Sequence, residues 1–412
     1  MSVFELIALL LTVTAVFSYV NFRFVHLPTT IGVMMIALIV SLAFIGLEAL
    51  GLGLEWNARE ILRSVNFDTT VMQGMLSFLL FAGALHINLN DLAEQKWAII
   101  VLSLGGVVLS MVVAGTAIFC ILAGLGIGLP YAYCLLFGAL ISPTDPIAVL
   151  GMLRRTKVPK SLEIKIAGES LFNDGIGVVA FLMVSEVALG GRAVSVPHVG
   201  LLFLQEAVGG AVFGLIIGWI AYRLLKSVDD YQVEVLLTLA LVSGGYALAQ
   251  ALHTSGPIAI VVAGVLIGNH GRRFAMSEST REHLDTFWEL IDGILNAVLF
   301  VLIGLEVLVL SFTGKLLLAG LVAVPALLVA RWVSVAIPVA IMRPWRKFSP
   351  GAVRILTWGG LRGGISVALA LSLPAGKSRD IIVAMTYLAV VFSVLVQGLT
   401  LNGLVKRIYQ PA

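Results

Sequence analysis

Charge is what this chain has least of. Asp, Glu, Lys and Arg make up 12% of 412 residues while 59% are hydrophobic, and a soluble domain carries roughly twice that charged share. So little charge excludes a water-soluble globular fold, and a net formal charge of only +3 gives no reason to expect a nucleic-acid partner. Cysteine is nearly absent too: Cys120 and Cys134 stand in no metal or redox spacing and read as buried thiols. No His or Cys accompanies the carboxylate-bearing motifs, which argues against zinc or copper. The tripeptide Gly376-Lys377-Ser378 has Leu371 where a phosphate-binding loop needs its first glycine, so no nucleotide cofactor is expected. The first apolar run, 4–20, has neither a basic leader nor a small-residue cleavage site and reads as a retained first span.

What the chain has in abundance is long apolar runs. At about 20 residues per crossing they divide into about thirteen segments, so the fold class is an all-α polytopic membrane protein. The segments that matter most are the fifth (131–153), sixth (164–189), seventh (200–225), tenth (287–310), eleventh (316–342) and twelfth (355–373). With the N-terminus outside, one face collects Arg23, Lys96, Arg154, Arg155, Lys157, Lys160, Lys165, Arg223, Lys226, Arg272, Arg273, Arg281, Arg343, Arg346, Lys347, Arg354, Lys406 and Arg407. The opposite face holds only Arg59, Arg63, Arg192, Lys315, Lys377 and Arg379. That bias places the C-terminus in the cytoplasm. Only LVKRIYQPA follows the last segment, so no soluble regulatory tail is expected, and a prokaryotic plasma membrane is the expected location.

Two segments are interrupted. SPTDPIAVL, 142–150, sets Asp145 between Pro143 and Pro146 in the fifth segment; GGLRGGIS, 359–366, breaks the twelfth with glycines around Arg362. If 200–225 is a linker helix, residues 1–189 and 233–405 form two six-helix halves of one transporter domain, and the breaks occupy corresponding places. Paired broken helices of this kind predict two inverted repeats with crossed discontinuous helices and an ion site at the crossing. The sixth segment carries GESLFNDGIGVV, 168–179. On a helix, Ser170 and Asp174 share one face, as do Glu169 and Asn173. Asp174 and Ser170 beside Asp145 make an oxygen cage suited to a hard cation. Arg362 and Arg331, both inside apolar segments, need a counter-charge, and Glu169 is a plausible partner for either. Among the other polar residues, Glu306 in FVLIGLEV is the first candidate to line an access path, and Asp292 and Asn296 are weaker candidates still.

These stretches resemble the monovalent cation:proton antiporter superfamily, in its usually electroneutral sodium/proton exchanger branch. SPTDPIAVL, GESLFNDGIGVV, FVLIGLE and WGGLRGGISVALALSLP occur in the family's order, and FLLFAGALHINL, 78–89, is similar to its third-segment region. The resemblance implies a homodimer in a lipid bilayer that exchanges Na⁺, or Li⁺, for H⁺ one for one, with no cofactor and no enzymatic activity. It implies Asp174 as ion and proton carrier, with Asp145, Ser170 and the Thr144 backbone completing the Na⁺ coordination, and Glu169 paired with Arg362. It gives Asn173 a role through its neutrality, because electrogenic relatives carry an aspartate there. A K⁺/H⁺ antiporter of the same fold, a cation channel and an intramembrane aspartyl protease are the alternatives. The last lacks its Gly-x-Gly-Asp setting, since Leu171-Phe172-Asn173 precedes Asp174.

Overall fold

The computed structural model describes residues 3–50, 70–153, 158–190, 196–310 and 314–409. Arg59, Arg63, Arg154, Arg155, Lys157 and Arg192, six of the cations used to orient the chain, lie outside the described residues.

The fold is helical. In chain order the helices are α1 (Val3–Val20), α2 (Thr29–Ala49), α3 (Leu76–Leu85), α4 (Leu89–Ile100), α5 (Gly106–Gly124), α6 (Tyr131–Leu140), α7 (Ile147–Leu153), α8 (Lys160–Gly190), α9 (Val196–Phe203) and α10 (Gly209–Leu225). They continue with α11 (Tyr231–Ala251), α12 (Gly256–Leu266), α13 (Arg272–Phe274), α14 (Glu278–Glu306), α15 (Gly314–Met342), α16 (Ala352–Trp358), α17 (Gly364–Leu371), α18 (Lys377–Phe392) and α19 (Gly398–Tyr409). Wide π-type turns carry α4 into α5, α9 into α10 and α18 into α19 without breaking the rod. Starts are marked by side chains that accept from first-turn amides: Asn88 before α4, Asp230 before α11, Ser255 before α12 and Ser277 before α14.

Nine stretches among the described residues are long and apolar enough to cross a bilayer. The other four expected crossings correspond to short or broken helices, at 70–85, 131–153, 256–274 and 352–371, so length and composition alone do not establish thirteen. The outer surface is itself apolar: Trp219 of α10, Trp332 of α15 and Phe4 of α1 are more than half exposed, as befits side chains bathed in lipid. Cys134 is buried as expected, whereas Cys120 is exposed on the apolar surface of α5. Lipid solvates a thiol's apolar body, so membrane insertion places no demand on that side chain to face inward.

With little hydrophobic drive between helices in lipid, close approach depends on small residues. Gly210, Gly214 and Gly218 of α10 form a ladder against α12. A Cβ on Gly214 would lie 2.3 Å from the Ala259 carbonyl oxygen, and one on Gly210 2.8 Å from that of Ser255. The ladder is therefore internal packing. Gly214→Ala should lower stability by about 1–3 kcal/mol through overpacking against backbone that cannot yield. Gly124→Ala, whose methyl would meet open space, should not. Thermal unfolding in detergent compares the two.

Candidate functional site

Pro143 and Pro146 cannot both sit in a continuous helix, and α6 accordingly ends at Leu140 while α7 begins at Ile147. The glycines of 359–364 end α16 and start α17 in the same manner. The two breaks cross. Asp145 and Leu361 pair as a single antiparallel bridge, with the Asp145 N–H donating to the Leu361 carbonyl at 2.7 Å. Glycine at 363 permits this approach, since a Cβ there would lie 3.0 Å from Asp145 Cβ and Oδ2.

A broken helix leaves carbonyls that must be satisfied inside the membrane. Here the two arginines do it. Arg362 Nη1 donates to the carbonyls of Ser142 (2.8 Å) and Pro143 (3.1 Å), just beyond the C-terminal end of α6. Arg331, on α15, donates through Nε and Nη2 to the Leu356 carbonyl in the last turn of α16, at 3.3 and 3.1 Å. Each cation thus meets the negative end of a half-helix. Arg331 also pairs with Glu169 at 2.5 Å, both side chains buried. That corrects the expected Glu169–Arg362 pair. The Arg362 Nη1 group is committed to the first break's carbonyls, and Gly360 makes room for the other guanidinium: a Cβ there would sit 2.5 Å from Arg331 Nε.

Thr144 is locked to α8. Its N–H donates to Asn173 Oδ1 at 3.3 Å, its Oγ1 accepts from Asn173 Nδ2 at 2.8 Å, and it shares a 2.9 Å hydrogen bond with the Ser170 hydroxyl. Glycines let α8 come this close, with Gly177 facing Pro143 so nearly that a Cβ would lie 2.5 Å from its Cγ. The face shared by Ser170 and Asp174 therefore meets the first break, as the four-residue spacing predicts. Asp174 and Asp145 lie within electrostatic range of each other. Both line a cavity of about 590 Å³ that extends to Asn88, Asp91, Lys160 and Glu163, where Lys160 and Asp91 form an ion pair at 2.6 Å.

All eight expected residues, Thr144, Asp145, Glu169, Ser170, Asn173, Asp174, Arg331 and Arg362, gather at or directly behind the crossing. The arrangement can present two carboxylates to a small cation or a proton arriving through water. Two weak candidates and one residue with no role assigned from the sequence also lie here. Asp292 and Asn296 of α14 and Ser366 of α17 line the same cavity; the four-residue spacing of the first two and the serine ending GGIS were the available signals. Lys165, counted among the solvent-side cations, is instead 2% exposed, its ammonium 4.9 Å from the centre of the Phe348 ring.

Comparison with known proteins shows what the chain as a whole is similar to. A family profile described as "Sodium/hydrogen exchanger, transmembrane" matches residues 9–407. A Na⁺/H⁺ antiporter NhaP of Pseudomonas aeruginosa is 50% identical over 410 residues, 98% of this chain and 97% of that protein. A Na⁺/H⁺ antiporter NhaH of Halobacillus dabanensis is 35% identical, covering 92% of each chain. The solved structure of the sodium proton antiporter MjNhaP1 from Methanocaldococcus jannaschii superimposes with a TM-score of 0.76 over the full length of both chains. Its 19% identity makes that a likeness of fold.

Proposed function

Since the chain belongs to the sodium/hydrogen exchanger family, a family of membrane transporters and not of enzymes, we propose that it exchanges Na⁺ or Li⁺ for H⁺ across the membrane, one for one. The observation that carries this reading is a water-accessible cavity ending on Asp174 and Asp145 at the crossing of two interrupted helices.

Asp174 is the carrier, binding either a proton or a cation. Asp145, Ser170 and Thr144 supply the remaining oxygens for Na⁺, which here is cargo. Competition for one carboxylate makes the two ions exclusive. An empty, charged site is unfavourable to carry through lipid, so the mobile part moves readily only when Asp174 is protonated or cation-bound. Strict competition and alternating access together yield antiport. Asn173 holds Thr144 without adding a charge, which supports an electroneutral cycle. Glu169, Arg331 and Arg362 keep the crossing in register.

The two halves, 1–189 and 233–405, act as inverted repeats about the crossing, with 200–225 between them. The cavity reaches Asp91 and the well-exposed Lys160, and Lys160 belongs to the lysine- and arginine-rich face, which supports a cytoplasm-facing state with the N-terminus outside, in a plasma membrane. The apolar outer faces of α1 and α10 are the surfaces for homodimerisation.

The test is proton movement in proteoliposomes at a fixed pH gradient, with Na⁺, Li⁺ or K⁺ added in turn and the membrane potential clamped or free. Cation-triggered dissipation, indifferent to the clamp, is the expected result; dissipation only with K⁺ moves the assignment to K⁺/H⁺ exchange. Dependence on the potential rejects one-for-one stoichiometry, and no response to any cation rejects antiport.

A further inference from the structure

The cavity wall contains polar groups that this exchange cycle leaves unused. On α14, Asp292 and Asn296 are one turn apart, and Asn296 Nδ2 donates to both the carbonyl oxygen (2.8 Å) and the carboxylate Oδ1 (3.0 Å) of Asp292. Both partners are acceptors, so the orientation of the amide is set by chemistry and its oxygen must point elsewhere. That oxygen is buried, in a residue 2% exposed, and among the described residues it finds no hydrogen-bond partner. The Ser366 hydroxyl, in the first turn of α17 and in a residue 1% exposed, is in the same condition.

These two groups belong to one place. Both residues line the cavity that includes Asp145 and Asp174, their unpaired oxygens lying just beneath its wall, and Gly364 brings their helices together. A Cβ on Gly364 would lie 2.4 Å from Leu299 Cδ1, and Leu299 is one turn beyond Asn296. Asp292 is within electrostatic range of Asp145, and Glu289, a turn earlier on α14, lines the cavity as well. Buried polar atoms are nearly always paired, and unpaired ones beside two or three carboxylates attract a positive ion more strongly than neutral water. An amide oxygen, a hydroxyl and a carboxylate are the donor types that hard cations take.

We propose that Asn296 Oδ1, Ser366 Oγ and the Asp292 carboxylate form a staging subsite for a partly hydrated monovalent cation, between the cavity mouth and Asp174. Its role in transport rests on the antiport reading; its existence does not. The subsite strips part of the ion's water shell and concentrates the ion near the carrier, so it sets apparent affinity more than turnover.

Two measurements test it, both on the full chain. The first is ²²Na⁺ binding to detergent-solubilised Asp174→Asn protein, in which the carrier carboxylate is gone. A saturable site should persist there and weaken about tenfold, the worth of one oxygen contact to a charge, when Asn296→Ala is added. Unchanged binding in the double variant overturns the subsite. The second is exchange in proteoliposomes. Asn296→Ala and Ser366→Ala should each raise the half-saturating Na⁺ concentration several-fold while the maximal rate falls less, and Ser366→Thr, which restores the hydroxyl, should stay near the parent. A lower maximal rate at constant half-saturation would mark a structural role and overturn the proposal. If Asn296→Ala unfolds, Ser366→Ala carries both tests. Binding as expected in a parent protein that exchanges nothing would sink the antiport reading and leave the subsite standing.

Discussion

Asp174→Asn should abolish cation-dependent proton exchange, with initial rates in proteoliposomes falling at least ~100-fold, because in the proposed cycle it removes the group that changes protonation at every turnover. The substitution keeps the volume of the side chain and its place on α8, so size-exclusion behaviour and thermal unfolding should match the parent. An amide can neither release a proton to one side and take it up from the other nor neutralise a bound cation. Asp145 should not substitute for it, because its backbone is fixed at the first break by the pairing with Leu361. Retained exchange above a tenth of the parental rate, in protein shown to be folded, would remove Asp174 from the carrier role.

The second large effect falls on stability. Glu169 and Arg331 are buried together, and the guanidinium also serves the Leu356 carbonyl at the end of α16. Removing one partner leaves an uncompensated charge at membrane depth, so Glu169→Ala should cost on the order of 3–5 kcal/mol. Replacing both, as Glu169→Leu with Arg331→Met, removes the desolvation cost along with the attraction, and should recover much of the loss. Thermal unfolding in detergent reads the difference. A single variant no less stable than the double would show that the pair contributes nothing. The same series separates the two arginines: Arg362→Ala frees the Ser142 and Pro143 carbonyls beside Asp145, so it should impair exchange more than stability. That ranking follows from which carbonyls each guanidinium serves.

Much of this molecule was legible in its residues because the controlling physics is local. Scarce charge and long apolar runs dictate a membrane solvent. Proline on both sides of Asp145 and paired glycines around Arg362 interrupt helices wherever the chain is later placed. A four-residue interval puts Ser170 and Asp174 on one face of any helix. Each of these depends on neighbours within a turn or two, and each is present in the folded chain.

Partner choice was not local. Glu169 is followed by two candidate cations more than 150 positions away, Arg331 and Arg362, and nothing in spacing distinguishes them. Packing decided it, through a glycine at 360 that admits one guanidinium and a pair of carbonyls at 142 and 143 that occupies the other. The glycine ladder of α10 likewise found its partner only when α12 closed against it. Asn296 was a weak candidate and Ser366 an ordinary polar residue on a separate helix, and the close approach of Gly364 to Leu299 sets both residues in one cavity wall. Local chemistry sets where a chain must break and which side chains are costly to bury; the distances that convert those side chains into a site arise when helices far apart in the chain close on one another.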